Sequence, residues 1–140
     1  MMARELRGGE IICLSGDLGS GKTTFTQGIL QGLGAKGRFT SPTFLVMKHY
    51  KIKNQKSKIK ITNKNAKIKK SIQDIYHIDC YRIKSQDMLS LGWEEIVEDR
   101  NNIVIVEWAE RIKSIIPKTA VWIKFKHKKE NEREISIIGG

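Results

Sequence analysis

The chain has 140 residues, 39% of them hydrophobic, which fits one domain with a single sizeable core and excludes a disordered chain. No apolar run approaches the length of a membrane span, and residues 1–7 lack the apolar stretch of a signal peptide, so neither a membrane nor an exported setting is expected. The formal net charge is +11, yet residues 51–73 hold nine lysines and no acid; the remainder carries 17 basic and 15 acidic residues, +2. This reads as a near-neutral domain with one basic insert. Two origins for that charge stay open: contact with nucleic acid, or the Ile- and Lys-rich coding of an AT-rich genome. Cys13 and Cys80 stand far apart with no C-x-x-C, so no zinc site or disulfide framework is expected, only buried thiols in a reducing cytosol.

In chain order, residues 10–15 form a short apolar run, read as a buried strand. A glycine-rich turn follows from Gly16 to Gly21. A helix then runs from Lys22 to about Leu33, with Phe25, Ile29 and Leu33 on one face and Gly32, Gly34 and Gly37 ending it. Residues 40–43 form a loop, because Pro42 drives Ser41 out of helical conformation, and 43–50 read as a strand. Within the insert, residues 58–62 and 66–69 alternate around Asn63 and Asn65, which suggests a protruding β-hairpin; an unfolded segment is the alternative.

Residues 74–81 are the next strand. Ser85 is expected to cap a helix to about Leu91, Gly92 to interrupt it, and 93–99 to form another turn or two. Residues 102–107 are a dense β-branched run ending in Glu107. A short helix from Ala109 stops at Pro117, and 120–127 pair with 133–138 as an antiparallel hairpin. The sum is an α/β fold with a mixed sheet.

Gly16-x-x-x-x-Gly21-Lys22-Thr23 is the phosphate-loop pattern, in the strand–loop–helix setting that it requires. Its glycines let backbone N–H groups turn toward phosphate oxygens, and the helix N-terminus adds donors and a favourable dipole. Lys22 supplies a point charge for the terminal phosphates, and the Thr23 hydroxyl can ligate Mg2+. The pattern points to a nucleoside triphosphate. Neither N-K-x-D nor a suitable D-x-x-G accompanies it, which argues against GTP. The seven arginines are scattered rather than clustered into a lid, which argues against a small-molecule kinase.

Three further places can carry chemistry. Thr43, about twenty residues past Lys22, can sense a terminal phosphate or merely close a proline turn. His77, Asp79 and Tyr81 share one strand face, either as site residues or as a buried ion pair or core histidine. Glu107 ends its strand where a carboxylate can hold Mg2+ or orient water, or can simply be a surface residue, and Trp108 beside it is core or stacks near the nucleotide.

Taken together and in order, the phosphate loop, Ser41-Pro42-Thr43-Phe44, His77-Ile78-Asp79-Cys80-Tyr81-Arg82 and Val106-Glu107-Trp108 resemble the TsaE (YjeE) family. This is the small ATPase of bacterial tRNA threonylcarbamoyladenosine synthesis. Leu91-Gly92-Trp93-Glu94-Glu95, Ile116-Pro117 and Arg133-Glu134-Ile135 agree as well, so the resemblance covers about residues 4–138 apart from the insert. It implies a P-loop NTPase-like sheet flanked by helices in one domain, residues 1–140. It also implies ATP held by Asp17, Leu18, Gly19, Ser20, Gly21, Lys22, Thr23 and Thr24, with Arg133 approaching the nucleotide, and Mg2+ on Thr23 and Glu107. Thr43 falls in a switch-like segment, with Asp79 near the attacking water.

The implied partners are TsaD-like and TsaB-like proteins, with tRNA met only through them, no DNA, and a cytoplasmic location. Two departures from the family are noted. A strand and most of a helix usually precede the segment matching residues 4–7, and the insert at 51–73 exceeds the usual short connection. Another P-loop phosphotransferase, or a non-catalytic nucleotide-sensing or RNA-binding adaptor, remain the alternative readings.

Overall fold

Two strands that are apolar on both faces set the layering. β1 (Ile11–Gly16) sends Ile12 and Leu14 to one side of the sheet, and Ile11 and Cys13 to the other. β4 (Asn102–Glu107) does the same with Ile103 and Ile105 against Val104 and Val106. Strands of this kind are stable only between two covering layers. A computed structural model of the protein describes residues 5–16, 21–35, 46–52, 72–129 and 132–139. It places both strands at the centre of a six-stranded sheet.

The remaining strands are β2 (Met47–Lys51), β3 (Asp74–Asp79), β5 (Val121–Lys129) and β6 (Glu132–Gly139), and the order is β2-β3-β4-β1-β5-β6. β3, β4, β1 and β5 are parallel, while β2 and β6 run antiparallel at the two edges. The expected mixed α/β sheet with an antiparallel C-terminal hairpin is what the chain forms.

Helix α1 (Lys22–Gly32) covers one face. Ile29 and Leu30, with Leu33 just beyond, pack on Ile12, Leu14, Ile105 and Ile123, and Phe25 meets the Phe125 ring edge-on at 5.5 Å. Each such aliphatic side chain contributes about 1.5–3 kcal/mol by leaving water. Helices α2 (Ser85–Ser90) and α3 (Trp93–Glu98) and a 3-10 helix (Ala109–Ile115) cover the other face. There Met88 and Trp93 are fully enclosed, and the Trp93 indole N–H donates to the Ile115 carbonyl at 3.1 Å. Cys13 and Cys80 are buried free thiols in this layer, as expected.

Several local expectations are corrected. Ser85 is the first helical residue rather than the cap; Lys84 holds that position, and its N–H donates to the Asp87 carboxylate at 3.0 Å. An acid three residues on thus does the capping that a hydroxyl was expected to do. β3 ends at Asp79, not Tyr81, because the Asp79 carboxylate accepts the Tyr81 N–H at 2.9 Å and turns the chain. The helix before Pro117 is 3-10, broken by non-helical torsions at Ile112. The expected loop at 40–43 and hairpin at 58–69 lie outside the described residues. Among those described, no helix is long and apolar enough to cross a membrane.

Candidate functional site

Because β1, β3 and β4 are parallel, Gly16, Asp79 and Glu107 all arrive at the same edge of the sheet. In open α/β sheets, the carboxyl ends of parallel strands are where ligands bind. Alternation then selects the face. Glu107 follows Ile103 and Ile105 on the α1 side of β4, and His77 and Asp79 follow Ile75 on the α1 side of β3. The first turn of α1 delivers Lys22 and Thr23 to the same point.

Lys22 is 5% exposed, and its Nζ donates to the Gly16 carbonyl at 2.8 Å. The same ammonium lies 3.6 Å from the centroid of the Trp108 ring, a cation–π contact in which the indole face supplies the negative end. Trp108 reaches it by adopting left-handed torsions, φ 56° and ψ 39°, alone among the described non-glycine residues. A bulky side chain in that region is strained by about 1–3 kcal/mol, a strain concentrated beside the phosphate-loop lysine. The Tyr81 ring packs on Trp108 at 5.0 Å, and the Arg111 guanidinium lies 5.2 Å from Tyr81.

Glu107 is 4% exposed, so the surface reading of this residue falls away. Its two oxygens have different partners. Oε1 accepts from the Thr23 hydroxyl at 3.4 Å, and Oε2 meets His77 Nε2 at 2.5 Å. Asp79 is the register partner of Glu107 on β3. Burial, with the Glu107 charge adding to it, holds the Asp79 carboxyl above its ordinary value, while the Tyr81 N–H, His77 and Lys22 pull it back. Glu110 is raised too, by burial against the opposing pull of Lys22.

Gly16 is a glycine for two reasons. Its φ is 132°, and a Cβ there would stand 2.1 Å from the Phe125 carbonyl oxygen. The backbones of β1 and β5 therefore touch at the point where the loop leaves the sheet. Gly21 closes the other end of the loop with φ 102° as the N-cap of α1.

Of the residues expected at the site, the fold gathers Gly21, Lys22, Thr23, Asp79 and Glu107. Thr24 is exposed on the first turn of α1. Asp17, Leu18, Gly19, Ser20 and Thr43 lie outside the described residues, and Arg133 is placed by its backbone alone, opposite His127 on β5. Tyr81 leaves the strand and joins Trp108 instead. Glu110 and Arg111 were not anticipated: both follow from the reversal of the chain at Trp108, which no periodicity signals.

Comparisons with known proteins give the chain's family and fold relatives. Residues 1–135 match the family described as threonylcarbamoyl adenosine biosynthesis protein TsaE. The chain is 33% identical over 129 residues to the tRNA threonylcarbamoyladenosine biosynthesis protein TsaE of Bacillus subtilis, spanning 92% of this chain and 69% of that protein. It is 30% identical over 138 residues to the protein of the same description from Treponema pallidum, spanning 98% and 87%. Among solved structures, Bacillus subtilis YdiB superposes with a TM-score of 0.65 at 28% identity, over 98% of this chain and 72% of that one. With a family match over nearly its whole length and relatives at this level of identity, the chain belongs to the TsaE family.

Proposed function

We propose that this protein binds ATP with Mg2+ and hydrolyses it slowly in the cytoplasm, as a subunit serving tRNA N6-threonylcarbamoyladenosine modification with TsaD-like and TsaB-like partners. The observation that carries the reading is the Thr23–Glu107 pair. A hydroxyl at the start of α1 and a buried carboxylate at the end of β4 stand 3.4 Å apart. Two neighbouring oxygen ligands of an octahedral Mg2+ are separated by about 3 Å, and such sites use one or two carboxylates plus substrate phosphates. The pair fits that cation. When bound, Mg2+ supplies charge neutralisation at the phosphate oxygens.

The chain's own groups do the rest. Lys22 exchanges its contact with the Gly16 carbonyl for a phosphate oxygen, a charge-assisted hydrogen bond stronger than the one it gives up. The N-terminus of α1 adds backbone N–H donors and the positive end of its dipole beside it. Asp79, raised above the ordinary aspartate value, is suited to orient the attacking water and accept its proton. The water oxygen bonds to the γ-phosphorus, the bond from phosphorus to the bridging oxygen breaks, and ADP and inorganic phosphate leave.

Phosphate release, measured with and without the two partner proteins, tests this reading. Lys22→Ala is expected to lose on the order of a hundredfold in turnover, as removal of a preorganised electrostatic contact does. Unchanged ATP affinity and turnover in that variant overturn the assignment.

A further inference from the structure

One buried group plays no part in the chemistry above. His77 is 1% exposed, and its Nε2 lies 2.5 Å from Glu107 Oε2, while Nδ1 has no hydrogen-bond partner among the described residues. The contact is diagonal across adjacent parallel strands: His77 is in register with Ile105, and Asp79 with Glu107. Glu107 therefore has one oxygen tied to β3 and the other turned to Thr23 on α1.

We propose that His77 is a positioning residue for the cation ligand: its Nε2–H fixes Oε2 of Glu107 so that Oε1 alone faces the Thr23 hydroxyl. The inference rests on the nucleotide reading above and deepens it. A carboxylate free to rotate presents either oxygen, or both, and loses part of its affinity to the disorder of choosing. A single N–H on a rigid strand removes that freedom. The choice of imidazole has a reason too. Lys or Arg in its place would bring a full positive charge against Glu107 and cancel the charge that a divalent cation needs. Imidazole, unlike either, is able to donate that single hydrogen bond without a permanent charge. Partners of this kind around a metal ligand typically alter affinity by 10–100-fold when removed.

The alternative is that His77 merely satisfies a buried carboxylate and supports the fold. The two are separated by measuring ATP affinity calorimetrically in Mg2+ and again in EDTA, for the parent, His77→Leu and His77→Gln. Expected for His77→Leu is a loss of about tenfold or more in Mg2+ with little change in EDTA. His77→Gln, whose side-chain amide N–H can take the place of Nε2–H, is expected to recover most of that loss. Equal losses in both media, or no loss at all, overturn the positioning role. A parent protein that binds ATP no better with Mg2+ than in EDTA removes the cation reading of Thr23 and Glu107 itself, and this inference with it.

Discussion

Lys22 and Trp108 hold each other in place: the ammonium sits 3.6 Å from the centroid of the indole, and the indole reaches it only through left-handed torsions at a bulky residue. The contact offsets part of the strain. Cation–π pairs that are partly desolvated contribute up to about 2 kcal/mol, against a comparable cost for the torsions.

This pairing makes the stability of position 108 depend on backbone preference. Trp108→Asn and Trp108→Val both lose the indole, but Asn tolerates left-handed torsions while a β-branched residue does not. The Asn variant is expected to be more stable than the Val variant by about 1–2 kcal/mol in urea denaturation. Equal stabilities would mean that the chain relaxes out of the strained conformation once the ring is gone.

Two glycines give opposite expectations. At Gly16 an added Cβ meets the Phe125 carbonyl oxygen at 2.1 Å, whereas at Gly28, on an open turn of α1, it meets nothing within 4 Å. Gly16→Ala is expected to destabilise by at least about 2 kcal/mol, since backbone must move. Gly28→Ala is expected to stabilise by roughly 0.5–1 kcal/mol through helix propensity and reduced freedom of the unfolded chain. Denaturation midpoints of the two variants against the parent check both signs.

The role proposed for Asp79 comes with a cost in stability. Its carboxyl is held above the ordinary aspartate value, 3.8, first by burial. The folded chain therefore binds this proton more tightly than the unfolded chain, and ionising the group costs stability. That penalty is absent below the unfolded value and grows as pH rises through it toward the folded one. Asp79→Asn, which keeps an oxygen for the Tyr81 N–H, is expected to match or exceed the parent in stability at pH 7. Any gain fades as pH falls below 3.8, and ATP turnover falls in the same variant. Melting curves at the two pH values, with phosphate release at pH 7, decide it.

The thiols give a fourth check. Burial pushes Cys13 and Cys80 up to about 12, which leaves roughly one thiolate in ten thousand at pH 8, and the thiolate is the reactive form. Neither is expected to react with iodoacetamide at pH 8 until the chain is unfolded by guanidinium. Stoichiometric labelling of the folded protein would contradict the burial of both.

Much of this architecture was legible because its signals are local. Residues 102–107 announce a doubly buried strand by being apolar at every inner position, and the phosphate-loop pattern fixes its own strand–loop–helix setting. Glu107 was legible as a strand-end carboxylate, but its burial and its two partners were not, since His77 and Thr23 are 30 and 84 residues away in sequence. The Tyr81–Trp108–Arg111 stack was less legible still. It depends on one residue taking left-handed torsions, and a tryptophan gives no hint of that. The capping of α2 went to Asp87 because a carboxylate at the third helical position competes well with a hydroxyl at the first.

The touching backbones of β1 and β5 carry a consequence for how this sequence can drift. The atom that forbids a side chain at position 16 belongs to the main chain of Phe125, not to its ring. Exchanging Phe125 for another apolar residue leaves that constraint intact, so tolerance at 125 says nothing about tolerance at 16. What the contact cannot absorb is a change of chain length: one residue inserted in β5 ahead of Phe125 would slide its carbonyl past Gly16 and shift the platform from which the loop departs. The irregularity that β5 does carry falls between His127 and Lys129, in its pairing with β6 and downstream of the contact, so the register of β1 on β5 up to Gly16 and Phe125 is continuous.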